Sequence, residues 1–130
     1  MTDRALIQKA EEAMKNSYSP YSRFAVGAAL ECENGEVFLG TNIENAALGC
    51  TLCAERAAVS AAVTAGNRSF RRIAITSSGN QYCTPCGQCR QVLSEFSPHM
   101  EVLCSRADGR YVSYRLDRLL PASFGNEQMI

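Results

Sequence analysis

The sequence predicts an α/β fold with one sheet of five strands covered by helices, and three observations carry that reading. Hydrophobic periodicity gives the element order αββαβαββα. Asn34-Gly35 joins two strand-like runs, and both residues tolerate the positive φ of a tight hairpin. Two strand-to-helix crossings imply some parallel pairing, which makes the sheet mixed. At 130 residues the chain is long enough for one ordinary core but short for two, so residues 1–130 are expected to be a single domain.

A first helix is expected over Asp3 to Asn16, where Leu6, Ala10, Ala13 and Met14 share a face and Thr2 is available as N-cap. The turn-rich run Ser17 to Ser22 ends it. Strands follow at Phe24 to Cys32 and Glu36 to Asn42, and the aperiodic, polar stretch to Thr51 reads as loop. A second helix, largely alanine with Val59 and Val63, runs from Cys53 to Ala65 and closes at Gly66. Its small side chains allow close packing on a sheet or another helix. Arg72 to Ser77 is a short strand, and Cys86 to Phe96 a helix with Pro98 just beyond. Strands at Glu101 to Ser105 and Tyr111 to Tyr114 flank a turn. A brief helical piece, Arg115 to Leu120, precedes the tail.

Composition limits function. Hydrophobic residues make up 46% and charged residues 20%, as in a globular chain. No apolar run reaches the roughly 18–20 residues of a membrane span, and none near the start resembles a secretory signal, so a cytoplasmic location is expected. Thirteen basic residues balance thirteen acidic ones with no basic run, which disfavours nucleic acid and favours a small neutral substrate. Seven cysteines without a signal peptide point to metal binding or catalysis before a disulfide framework. Cys32 and Cys104 interrupt apolar strands and read as buried core thiols. His99, the sole histidine, reads as a satisfied or exposed side chain.

The chemistry concentrates in Cys53-Ala54-Glu55-Arg56 and Pro85-Cys86-Gly87-Gln88-Cys89-Arg90. Both cysteine clusters fall at predicted helix starts, where free N–H groups and the helix dipole favour thiolates. Cys53, Cys86 and Cys89 would hold one Zn²⁺ per chain and leave its fourth position for water, as catalytic zinc sites do. Three thiolates on Zn²⁺ sum to a negative charge, so positive compensation is needed if the ion is to acidify its water. Arg56 and Arg90 are the candidates to donate hydrogen bonds to the sulfurs. Glu55, two residues past the first ligand, is placed to carry protons without binding the metal.

These motifs resemble the small zinc-dependent cytidine deaminases over nearly the whole chain. The matching stretches are Tyr18 to Leu30, Asn42-Ile43-Glu44-Asn45-Ala46, Cys53 to Arg56, Pro85 to Gln91, and Leu119-Leu120-Pro121 with Phe124-Gly125. The resemblance implies a three-layer α/β/α fold and hydrolytic loss of the 4-amino group of cytidine or deoxycytidine, giving the uracil nucleoside in pyrimidine salvage. It implies that Glu55 protonates N3 and later carries a proton to the departing ammonia. It also implies that Asn42 and Glu44 hold the ribose hydroxyls, that Phe24 packs on the base, and that the backbone at Ala54 reads the pyrimidine edge. Ala46 joins these substrate contacts, and Gln91 stands with Arg56 and Arg90 around the ligands. Phe124 is implied to reach a neighbouring subunit's site within a homotetramer with shared active sites.

The chain departs from the family pattern at Leu48, where a tyrosine is common, and at Cys50 and Gln88. Three alternatives stay open on the residues. One is a deaminase of a modified cytosine nucleoside. The second is a closed four-cysteine zinc site built from Cys50, Cys53, Cys86 and Cys89, with no room for water. The third is an iron–sulfur module suggested by Cys83, Cys86 and Cys89.

Overall fold

In the computed structural model, which describes residues 1–129, five strands form one sheet in the order β2-β1-β3-β4-β5. They are β1 (Val26–Cys32), β2 (Val37–Thr41), β3 (Phe70–Ser77), β4 (Glu101–Ser105) and β5 (Tyr111–Arg115). β1 lies antiparallel to both β2 and β3, β3 parallel to β4, and β4 antiparallel to β5. Of the two expected helical crossings, one joins strands that pair directly. The other joins β2 to β3, between which β1 has inserted.

The helices are α1 (Asp3–Met14), α2 (Ala54–Thr64), α3 (Gly87–Phe96) and the single turn α4 (Leu116–Leu119). Period-two alternation in the strands separates the two faces of the sheet. Ala29, Ala74 and Leu103 pack with Leu6, Ile7 and Ala10 of α1. Their neighbours Ala28, Leu30, Ile73, Ile75, Val102 and Cys104 pack beneath α2 and α3, with Ala58, Ala62 and Leu93. The result is the expected α/β/α sandwich. Cys32 and Cys104 are fully buried in it, as their apolar surroundings indicated.

Two glycines let helices approach the sheet closely. A β-carbon on Gly27 would fall 2.0 Å from the Ala10 carbonyl oxygen of α1, and one on Gly40 would fall 2.2 Å from that of Ala54 in α2. Only hydrogen side chains allow both approaches. Element boundaries move by one or two residues from the sequence expectation; at the starts of α2 and α3 this is because the capping cysteines fall outside the helical hydrogen bonds. Two short 3-10 turns, Leu48–Cys50 and Asn126–Met129, interrupt segments expected as loop and tail. Among the described residues no helix is long and apolar enough to cross a membrane.

Candidate metal centre and active site

Cys53 and Cys86 are the N-cap residues of α2 and α3, in extended backbone, and neither side chain caps its own helix. Both thiols therefore project off the helix ends toward one point, and Cys89, one turn into α3, joins them. The Cys53 and Cys86 sulfurs lie 3.8 Å apart, those of Cys86 and Cys89 3.4 Å apart, and all three within 4.8 Å of one another. Zn–S bonds of about 2.3 Å at tetrahedral angles require sulfurs about 3.8 Å apart. The soft thiolate set and this spacing fit zinc.

Among the described residues, the sulfur cluster contains no fourth cysteine. Cys50 is exposed in the 3-10 turn Leu48–Cys50, and Cys83 packs against the core beside the cluster. Neither the four-cysteine site nor the iron–sulfur module is built here. The side chain of His99 points outward to Asp117, at 3.1 Å.

The Arg56 guanidinium donates to the Cys53 sulfur at 3.4 Å. Cys53 is drawn down to about 5, first by a hydrogen bond from Cys89, then by Arg56 and Cys86, against the cost of burial. Cys89 is pushed up, by donating to Cys53 and by its burial. Glu55, in the first turn of α2, is only 4% exposed. Burial pushes its carboxyl up to about 7; its own backbone N–H lowers it, the Cys53 charge raises it, and Cys89 and Arg56 lower it. A carboxyl poised there can both take and give a proton near neutral pH.

The zinc-binding region model of the cytidine and deoxycytidylate deaminases matches residues 1–105. The chain belongs to this family. It is 41% identical over 125 residues to a cytidine deaminase of Sporosarcina psychrophila, covering 95% of this chain and 92% of that one. With a cytidine deaminase of Halalkalibacterium halodurans it shares 41% over 130 residues, covering 99% and 98%. The crystal structure of a cytidine deaminase from Burkholderia pseudomallei superposes with a TM-score of 0.92 at 42% identity, over 95% of this chain and all of that one. The fold is that of the family, and the Cys53, Cys86 and Cys89 cluster fits a zinc site within its zinc-binding region.

The Cys53 and Cys86 thiols open into a cavity of about 270 Å³ that also takes in Phe24, Asn42, Glu44, Ala54 and Glu55. These residues arrive from well-separated parts of the sequence because the loop after β2 is pinned on both sides. Ile43 exchanges backbone hydrogen bonds with Leu52, at 2.9 and 3.0 Å, just before Cys53. On its other side Tyr18 N–H donates to the Asn42 carbonyl at 3.1 Å, and Glu44 N–H to that of Tyr18 at 2.8 Å.

Asn42 and Glu44 already serve the protein. Asn42 Oδ1 accepts from Val26 N–H at 3.0 Å and from the Ser17 hydroxyl, while Nδ2 donates to the Phe24 carbonyl at 2.8 Å. Both lone pairs of the amide oxygen are thus occupied within the protein. What remains free is the second Nδ2 proton, a donor.

Other expected residues stand further off. Arg90 donates to the carbonyls of Pro85 at 2.7 Å and Leu119 at 2.8 Å, and not to sulfur. One residue past Cys89 it has turned about 100° around the helix, away from the thiols. Gln91 holds the Phe124 carbonyl at 2.9 Å, and Phe124 itself is exposed. Ala46 is exposed and does not line the cavity. Sequence reasoning assigned no site role to Ser22, Thr51 or Thr84, all of which line it. Ser22 lay within a matched stretch, but a turn serine carries no signal of which carboxylate it will meet.

Proposed function

We propose that this chain is a cytidine deaminase that hydrolyses cytidine and deoxycytidine to the uracil nucleosides and ammonia. The observation that carries this is a cluster of three sulfurs from two helix N-termini, two of which, Cys53 and Cys86, line one cavity together with a buried acid that does not belong to the cluster. Zinc held by Cys53, Cys86 and Cys89 supplies a Lewis acid that makes water nucleophilic near neutral pH.

The rest is done by the chain's own groups. Glu55 takes a proton from the attacking water and delivers it to N3 of the pyrimidine as the water oxygen bonds to C4. It then passes the remaining hydroxyl proton to the 4-amino nitrogen as the C4–N bond breaks, giving ammonia and the C4 carbonyl. Phe24 stacks on the base, and the backbone at Ala54 reads its edge. At the sugar end, Asn42 Nδ2 offers one donor and Glu44 one acceptor. That pair suits a single hydroxyl, which both donates and accepts. Arg56 tempers the electron-rich thiolates by its hydrogen bond to Cys53. Arg90 and Gln91 support the site at one remove, through the loop before α3 and the segment bearing Phe124.

Assembly into a homotetramer with shared sites is part of the proposal, with residues 1–130 forming one domain that works in the cytoplasm. Its support is that Phe124 (58%), Leu48 (72%) and Ile43 (47%) are exposed apolar side chains. Phe124 and Ala46 would reach substrate only across an interface.

Incubating the zinc-loaded protein with cytidine, deoxycytidine and C5-modified cytosine nucleosides, and following ammonia, tests the activity. Release from the two unmodified nucleosides is expected. Release only from a modified one would replace the reading with a narrower deaminase, and no release from any would remove it. Cys50→Ser should keep one zinc per chain. Light scattering should give four chains per particle.

A further inference from the structure

Glu44 is the residue on which sugar binding depends in the reading above, and the protein already occupies most of its carboxylate. Oε1 accepts from the backbone N–H groups of Tyr21, at 2.9 Å, and Ser22, at 3.1 Å, while Oε2 accepts the Ser22 hydroxyl. A carboxylate offers about four acceptor positions, so about one remains, on Oε2. Ser22 is equally committed. Its single proton goes to Glu44, and its oxygen accepts from Phe24 N–H at 3.0 Å.

Ser22 and Glu44 both line the cavity, beside the Phe24 ring. Between Ser22 and Phe24 stands Arg23, at φ 58°, a left-handed conformation that costs free energy in a residue with a β-carbon. Its N–H closes the turn on the Ser19 carbonyl at 3.0 Å. Strained backbone persists where its surroundings over-determine it, commonly at ligand sites. Here the surroundings are three hydrogen bonds to one carboxylate. The same bonds, that from the Ser22 hydroxyl first, hold Glu44 below the usual carboxylate range, so it stays an acceptor and never competes as a donor.

We propose that Ser22 is a positioning residue for sugar recognition: its hydroxyl fixes the Glu44 carboxylate so that one acceptor, on Oε2, faces one hydroxyl of the nucleoside. The inference rests on the assignment of Glu44 to the sugar. Ser22 acts through Glu44 and does not touch the reacting atoms.

The test is a comparison of kcat and KM for cytidine, 2′-deoxycytidine and 3′-deoxycytidine with the wild-type, Ser22→Ala, Ser22→Thr and Glu44→Gln zinc enzymes. One of the two deoxy substrates lacks the hydroxyl that Glu44 reads. Ser22→Ala should lower kcat/KM about tenfold, mainly through KM, on the substrates that carry this hydroxyl, and less than about twofold on the one that lacks it. Ser22→Thr, which keeps the hydroxyl, should restore most of the loss. An equal loss on all three substrates, or none, overturns the inference, since a merely structural serine would not distinguish them. If Glu44→Gln is selective and Ser22→Ala is not, only the role of Ser22 falls; if Glu44→Gln itself costs the same on all three, the sugar assignment falls with it. Should Ser22→Ala fold poorly, Ser22→Cys fills the same space with a weak donor and serves the same comparison.

Discussion

The two faces of the sheet each admit a helix closely, and they end differently. Under α1, Leu6, Ile7 and Ala10 pack on Ala29, Ala74 and Leu103, under α2 Ala58 and Ala62 pack against Leu30, Ile73 and Ile75, and on each side a glycine admits a helix backbone. The difference lies at the helix N-termini. Thr2 caps α1 through a hydrogen bond from Ala5 N–H at 3.1 Å, and Asp3 in the first turn pairs with Arg72, which also holds Glu31 at 2.7 Å. That end is capped by the chain's own side chain. The ends of α2 and α3 carry cysteines that cap nothing, so their positive ends and free thiols are left for an outside partner. One face spends its helix end on stability and the other keeps two open for chemistry.

Five substitutions test that contrast, beginning with the largest effect. Glu55→Gln should keep the fold and one zinc per chain but lose turnover by about 10²–10⁴-fold or more, because one group serves two proton transfers. Substantial turnover in the zinc-loaded variant would mean that the proton travels by another route.

Gly40→Ala and Gly27→Ala make a matched pair. Each forces a β-carbon into a helix carbonyl and should cost about 1–3 kcal/mol or more in thermal melts. Only Gly40→Ala displaces the start of α2, so only it should also weaken zinc retention against a chelator. Equal zinc loss in both would erase the distinction between the faces. Arg56→Gln should reduce kcat/KM by about tenfold, the low end for groups that support metal ligands. Wild-type rates across the pH range would make the arginine a bystander. Thr2→Ala, the smallest change, should cost about 1 kcal/mol of stability and leave kinetics unchanged; a kinetic defect would show that the α1 face also reaches the site.

Much of this was legible in the chain, and the limits have physical causes. The hairpin, the crossings and both cysteine clusters carry local signals of turn chemistry, period and spacing, and they fell where expected. The partners of Arg90 were not legible. Adjacency to Cys89 suggested sulfur, but one further residue of helix turns the guanidinium toward the Pro85 and Leu119 carbonyls. The same is true of Asn42, whose amide oxygen is consumed by Ser17 and Val26, residues whose proximity depends on the turn before β1.

By itself the sequence determined the elements, their order, and which side chains could ligate zinc or carry a proton, because these follow from periodicity and from chemistry within a few residues. The tertiary structure decided which of seven cysteines meet, how far Glu55 is removed from water, and how few acceptors Glu44 has left. Those are distances between groups far apart in the chain. They are set by β1 entering between β2 and β3, and by the Ile43 bridges that draw the loop after β2 to the ends of two helices.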